Sequence, residues 1–430
     1  VEWIDAATAA ERLGIKPATL YAYVSRGLLK RRHDDSGRRS LFDAAEIEQL
    51  ARRGRPRGQP PELVIESAIT ALGLDRPHYR GHDTLTLART TSFEAVAEWL
   101  WTADPALLPQ AARVPAARDG EPRPWTCDPE AVRAAVAAQR DLPDDILPLD
   151  RLQVITTVLG ASDSLRYHLD PESVTATARR LITGLVEALP ALQKPQGTSI
   201  AERLWPRLTP HPATPALLRT LEAALVLIAD HELAASTLAA RVAASARADP
   251  YAVVLTGLGV LGGPLHGGAS YAAERLLHEV TTPAQAPRVI ADRIRRGERI
   301  PGFGHSIYKN GDARGVLLLD LVTEAALGED DLAVEATRGE SGVAAEAASG
   351  RDRLAVARAV LDEVRRRRLP EQNVDFALAA LTEVAGMITG AGEAVFAIAR
   401  TAGWLAHAME EYANGTLLRL RATYIGPPIR

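Results

Sequence analysis

"DHELAASTLAARVAASARADPYAVVLTGLGVLGGPLHGGA", residues 230–269, decides how this chain is read. In its alanine-rich portion apolar residues recur at i, i+3, i+4 and i+7, the period of an amphipathic helix, and alanine lets neighbouring helices approach closely. The stretch then ends on something a helix does not need: His266 set among Gly262, Gly263, Gly267 and Gly268. The device returns in "IPGFGHSIYKN", residues 300–310, around His305. Glycine loses more conformational freedom on folding than other residues, so it gathers where the backbone needs positive φ or where something must come close. Two imidazoles held in such segments ask what that something is.

Outward from this stretch the helical period continues in "FEAVAEWLW" (93–101), "PESVTATARRLITGLVEAL" (171–189) and "AVFAIARTAGWLAHAMEEY" (394–412). Sustained strand alternation is absent, which predicts a mainly α fold from Glu62 onward. Residues 110–148, rich in Pro, Arg and Asp, break the period and read as surface loop with a short helix. Three polar segments interrupt the helical fabric: 262–269, 301–314 and "QNVDF" at 372–376. Each carries one titratable group in a turn-rich context, His266, His305 and Asp375. A histidine beside glycines leaves backbone N–H groups open to a ligand, and a helix starting just after it lends positive potential to an anion or a nascent oxyanion. A single histidine of this kind also reads as a satisfied turn residue.

The first sixty residues differ in texture. Helix patterns near 5–13 and 17–27 flank a turn at Gly14-Ile15-Lys16, the spacing of a helix-turn-helix, with Pro17 at a first helical position. "KRRHDDSGRRSLF" (30–42) reads as two strands around an Asp-Ser-Gly turn, with a third helix from about Asp43. The order resembles the winged helix-turn-helix of MerR and excisionase-type DNA-binding domains. That resemblance makes Tyr21, Ser25 and Arg26 groove-facing candidates, with Arg31, Arg32, Arg38 and Arg39 on phosphates. The alternative is a small packing domain without DNA. "RRGRPRGQPP" (52–61) reads as a solvated linker; its Arg-Gly-Arg-Pro core also resembles an AT-hook.

Composition narrows the class. With 430 residues there is room for two or three domains, and the formal charge of -4 does not mark a dedicated nucleic-acid or membrane protein. Cys127 is the only cysteine, which rules out an intramolecular disulfide or cysteine cluster and suits a reducing cytoplasm. No apolar run approaches the roughly 20 residues of a membrane span, and no signal-peptide order opens the chain, so a cytoplasmic protein is expected. No metal site is expected.

"DHELAASTLAARVAASARADPYAVVLTGLGVLGGPLHGGA", "IPGFGHSIYKNGDARG", "NVDF" and "FAIARTAGWLAHAMEE" resemble, in order and spacing, the signature segments of the citrate synthase family, and "YRGHDTLTLARTTSFEAVAEWLW" (79–101) resembles its N-terminal segment. The resemblance covers about 65–430. It implies a two-domain helical fold behind the small winged helix-turn-helix domain: residues 1–52 for the latter, 53–61 as linker, 62–265 with 379–430 as a large helical domain, and 266–378 as a small one. It also implies condensation of acetyl-CoA, or another short acyl-CoA such as propionyl-CoA, with oxaloacetate. In that scheme Asp375 is the base, His266 meets the thioester carbonyl and His305 polarises the ketone. His231, Arg314 and Arg400 hold the oxo acid, and Arg419 reaches across from the partner of a homodimer, with Arg421 close by in sequence. Gly263, Leu265, Gly302, Gly304 and Lys309 face the CoA, which is a co-substrate; no tightly bound cofactor is implied.

The chain departs from the family pattern in places. "DARG" stands for Asp-Pro-Arg-Ala, and Ser270 ends "HGGAS" where asparagine is usual. Ala234 replaces an asparagine that helps hold the oxo acid, and one lost hydrogen bond costs about 0.5–1.5 kcal/mol. A 2-methylcitrate synthase and a different oxo acid are therefore open variants. A regulator that uses the synthase body as a metabolite sensor is the rival from another class.

Overall fold

The computed structural model describes residues 3–13, 17–25, 29–33, 40–44, 46–47, 64–108, 124–309, 311–328, 341–419 and 425–426. The chain forms two compact units, residues 1–66 and 67–430.

The first unit runs β1 (Trp3–Asp5), α1 (Ala6–Leu13), α2 (Pro17–Ser25), β2 (Arg31–His33) and β3 (Ser40–Asp43). Its antiparallel sheet has the order β1-β3-β2, with Ile4 and Arg31 both opposite Phe42. Ile4, Leu20, Phe42 and Ile47 are buried together in a core of its own. The first two helices and the two wing strands follow the sequence reading, while the third helix expected from about Asp43 lies largely outside the described residues. The strand β1 was not foreseen: three residues carry no period to read, and it exists because β3 supplies its partners. Tyr21 is exposed, as are Arg31 and Arg32, the latter with its guanidinium 5.7 Å from the centre of the Trp3 ring. The Ser25 side chain, Arg26, Arg38, Arg39 and the 53–61 linker lie outside the described residues.

The second unit opens with a small antiparallel sheet, β4 (Thr70–Leu72), β5 (Pro77–Tyr79) and β6 (His82–Asp83). Helices follow: α3 (Thr84–Thr90), α4 (Phe93–Thr102), α5 (Pro129–Ala137), α6 (Pro148–Ser162), α7 (Pro171–Ala188), α8 (Ile200–Leu208) and α9 (Pro215–Ile228). Then come α10 (Ala235–Ser245), α11 (Pro250–Leu261), α12 (Gly268–Glu279), α13 (Ala286–Arg295), α14 (Ala313–Leu327), α15 (Ser341–Arg366), α16 (Val374–Val384) and α17 (Ala391–Asn414). No described helix is long and apolar enough to cross a membrane.

Helix α17 is the axis of this unit. Every residue from Ala391 to Ala408 is buried, and α4, α6, α7, α9, α10, α11, α12 and α16 all pack on it. Its alanines and glycines permit that crowding: a Cβ at Gly403 would lie 2.3 Å from Asp230 Oδ1, so only a bare α-carbon fits there. The charged and imidazole side chains that α17 nonetheless buries, Glu393, Arg400, His407 and Glu411, need partners; Arg400 finds one at Ile228 O, His407 at Asp230 and Arg241, and Glu411 at Arg241.

Candidate active site

The Asp230-His231 turn is held from below. Tyr79, fully buried in β5, donates its hydroxyl proton at the end of α9, where Val226 O lies at 3.0 Å, and accepts from Asp230 N at 3.0 Å. Glu232 then turns the chain with φ +53°, a conformation uncommon for a residue with a Cβ. His231 is left pointing into the protein, its Nε2 3.0 Å from the Tyr308 hydroxyl and its ring edge-on to His305 at 5.3 Å. Burial, then the charges of Arg314 and Arg400, hold His231 well below the ordinary histidine range.

The His305 loop is stapled to the start of α16. Gly304 N donates to Glu371 O (2.7 Å), Asn373 N to Gly302 O (2.9 Å), and the Asn373 side-chain amide to Gly304 O (2.9 Å). Both glycines have φ +82°, and a Cβ at Gly302 would lie 2.8 Å from Phe376 Cβ. Asn373 also caps α16, its Oδ1 accepting from Asp375 N at 3.0 Å. His305 Nδ1 accepts from Ile307 N (3.0 Å) and Tyr308 N (3.2 Å), so the ring proton sits on Nε2. Burial and the Arg314 charge push this imidazole down to about 4. Asp312, buried at the N-cap of α14, grips Arg314 through Nε and Nη2, both at 2.9 Å, and accepts from Val374 N at 3.1 Å. That leaves Arg314 Nη1 for a ligand.

His266 sits in the turn between α11 and α12. Here the glycines serve close packing rather than unusual φ: a Cβ at Gly268 would lie 2.9 Å from Gly263 O, and one at Gly267 2.6 Å from Leu261 side-chain carbons. His266 Nε2 is 2.6 Å from Ser236 Oγ, which accepts from Trp404 Nε1 at 3.2 Å. Burial and the Arg400 charge push His266 down to about 4. In the first turn of α12 the Ser270 hydroxyl donates to Asp375 Oδ1 at 2.5 Å, tying this segment to α16. Burial pushes the Asp375 carboxyl up to about 6, against the lowering effect of the Ser270 hydrogen bond and of Arg314.

Arg400, fully buried on α17, donates from Nε to Ile228 O at 2.8 Å, while its Nη1 is buried with no hydrogen-bond partner. A guanidinium with an orphaned donor is costly unless an anion meets it. Desolvation lowers its pKa and neighbouring Asp230 opposes the drop. Behind Asp230 runs a buried chain: His407 Nδ1 accepts from Arg241 Nη1 (2.7 Å), and His407 Nε2 faces Asp230 Oδ2 (3.3 Å). Arg241 also binds Glu411 and Glu410.

The structure thus brings His231, His266, His305, Arg314, Arg400 and Asp375 into one electrostatic neighbourhood. His231 responds to both arginines and both other histidines, and Asp375 to both arginines. Gly302 and Gly304 belong to it through the staple and Gly263 through the His266 turn, where its carbonyl accepts from His266 N at 2.9 Å. Leu265 and Lys309 are exposed beside it. Arg419 is exposed on the tail, whose Leu418 N donates to Ser245 Oγ at 3.1 Å. Arg421 lies outside the described residues. Sequence reasoning missed Tyr308, Asp312, Ser236, Trp404 and His407, which carry no glycine or turn signal. Among the described residues no three His, Cys, Asp or Glu side chains gather as a metal site requires.

Comparisons with known proteins bear on the family and the fold. Residues 61–421 match the family described as citrate synthase, C-terminal domain, and residues 3–55 a helix-turn-helix domain. The chain is 29% identical to citrate synthase 2 of Bacillus subtilis over 86% of its own length and 96% of that protein. It is 27% identical to the 2-methylcitrate synthase of Shewanella oneidensis over 90% and 97%. The crystal structure of citrate synthase from Thermotoga maritima superposes with TM-score 0.63 at 25% identity, covering 86% of this chain and 96% of that one. A ternary complex of the Thermoplasma acidophilum enzyme with carboxymethyl coenzyme A and oxaloacetate shares the fold, with TM-score 0.66 at 22% identity over 87% and 97%. With the family match spanning most of its length, the chain belongs to the citrate synthase family, carrying a helix-turn-helix domain in front.

Proposed function

We propose that the chain is an acyltransferase that condenses acetyl-CoA, or a short acyl-CoA such as propionyl-CoA, with oxaloacetate, turning the acyl group into an alkyl group on transfer. The observation that carries this reading is the shared neighbourhood of one carboxylate with a raised pKa, neutral imidazoles and two buried guanidinium groups. A thioester α-proton is very weakly acidic, so its removal needs a base acting in concert with a donor to the enolate oxygen. Asp375 takes that proton. His266, neutral at pH 7, donates to the thioester carbonyl, and His305 donates its Nε2 proton to the ketone as the carbon-carbon bond forms. Arg400 Nη1 and Arg314 Nη1 receive the substrate carboxylates, with His231 beside them. Water then cleaves the citryl-CoA thioester, releasing citrate, or 2-methylcitrate, and CoA. The lobes 62–265 with 379–430 and 266–378 close over the reactants and keep water out until that step. The single unpaired thiol fits work in the cytoplasm.

The test is a panel of acyl-CoAs with oxaloacetate and related oxo acids, followed by thiol release. Turnover that disappears in Asp375→Ala supports the reading; no turnover with any pair removes it. Ala234 stands at the N-cap of α10 with no side-chain cap bond, and Ala234→Asn is expected to shift preference among the oxo acids.

We also infer a homodimer. From Ala235 to Leu261 the only charged residues are Arg241, Arg247 and Asp249, and Arg241 is turned inward. Leu238 and Val242 stand exposed on α10, Thr256 and Gly259 on α11. Apart from Arg247 in the turn after α10, this exposed face carries no charge, which fits a second copy. The tail bearing Arg419 is pinned to Ser245 at the end of α10, where a partner would be within reach. Leu238→Glu with Val242→Glu should leave a monomer by sedimentation, with activity reduced. The helix-turn-helix match favours duplex DNA as a partner of residues 3–55. If the full chain retards duplex DNA no better than one starting at Pro60, that second reading fails.

A further inference from the structure

We infer that Trp404 is a positioning residue that decides which ring nitrogen of His266 carries the proton and therefore which one meets the substrate. This rests on the part given to His266 above and concerns a contact one residue further back. Trp404 has no exposed surface, and its indole Nε1, a donor only, donates to Ser236 Oγ at 3.2 Å. The Ser236 hydroxyl has one proton and two lone pairs. Trp404 occupies a lone pair, and among the described residues His266 Nε2, 2.6 Å away, is the acceptor that remains for the serine proton. His266 Nε2 is thereby left as acceptor, and Nδ1 carries the ring hydrogen.

Without the indole N–H, Ser236 is free to turn and accept from an Nε2–H, and the two tautomers lose the bias that separates them. The tryptophan is held in turn by Gly257 on α11, where a Cβ would lie 2.6 Å from the indole ring. Four elements, α11, α17, α10 and the 262–268 turn, thus converge on one proton. The competing account is that Ser236 merely satisfies a buried indole, with no consequence for the imidazole.

Trp404→Phe keeps the aromatic bulk and removes the donor. In the full chain labelled with 15N-histidine, the His266 ring, assigned by its disappearance in His266→Asn, should change from an Nδ1-protonated pattern to an averaged one. With the substrates that turn over, kcat should fall about tenfold while KM stays within about twofold. The double variant with Ser236→Ala should be no slower than Ser236→Ala alone, because the tryptophan acts through the serine. Gly257→Ala, which displaces the ring but keeps the N–H, should produce the same spectral change and serves where Trp404→Phe does not fold. An unchanged 15N pattern, or losses that multiply in the double variant, overturns the inference. If the chain turns over no substrate, the 15N pattern still decides the matter, and only the functional reading falls.

Discussion

The two glycine-flanked histidines look like one motif written twice, yet the protein builds them in opposite ways. Around His266 the glycines have ordinary φ and are needed because the turn folds onto itself, Gly268 against Gly263 O and Gly267 against Leu261. Around His305 they have φ +82° and are needed because the loop is laid as an irregular strand against residues 371–373, with Phe303 bridging to Gln372. The lesson is that a glycine's reason is set by its neighbours: missing volume in one segment, mirror-image backbone in the other.

The sharpest way to break the comparison is Gly302→Ala, where both reasons coincide: φ is +82° and a Cβ would lie 3.0 Å from Phe376 Cα. Unfavourable backbone and overpacking together are expected to cost about 2–5 kcal/mol in urea unfolding. Displacing His305 relative to Asp375 should lower kcat on the order of 100-fold. Gly268→Ala meets only the packing reason, at 2.9 Å from a backbone oxygen. It should cost about 1–3 kcal/mol and reduce kcat roughly tenfold while leaving the His305 loop intact.

A pH profile sharpens the comparison from the chemical side, since both imidazoles are pushed to about 4 despite their different build. Asp375, pushed up to about 6, must be ionised to act, so kcat/KM should be flat above that pH and fall about tenfold per unit below it. An inflection near 6.5 from a histidine should be missing. Because the Ser270 hydroxyl lowers the Asp375 pKa, Ser270→Ala should move the inflection upward. The smallest effect is expected at Gly304→Ala, where φ is +82° but the nearest atom to a new Cβ is 3.3 Å away, on Pro370. About 1–2 kcal/mol of stability and little change in rate are the outcomes to measure.

Helical period and the three interrupting segments were legible in the sequence, because each announces itself by spacing or by a residue type out of place; Arg314 and Arg400 were named only through the resemblance to the citrate synthase family. The strands β4, β5 and β6 were not legible: with two or three residues each they have no alternation to detect. Nor were the residues that fix the site's geometry. Tyr308 reads as an ordinary aromatic until its hydroxyl is seen at His231, and Asp312 as a loop acid until it joins Arg314 to Val374 N. Their signal is long-range contact, which no local window contains. Trp404 and His407 are hidden the same way, inside a helix whose period says only that it is buried.

The three hydrogen bonds that lace residues 302–304 to 371–373 make the two segments a single mechanical piece. Motion of the surrounding helices should therefore carry His305 and Asp375 together and leave their separation little changed. The same lacing means that a lesion on either strand of the seam is felt at both chemical groups at once.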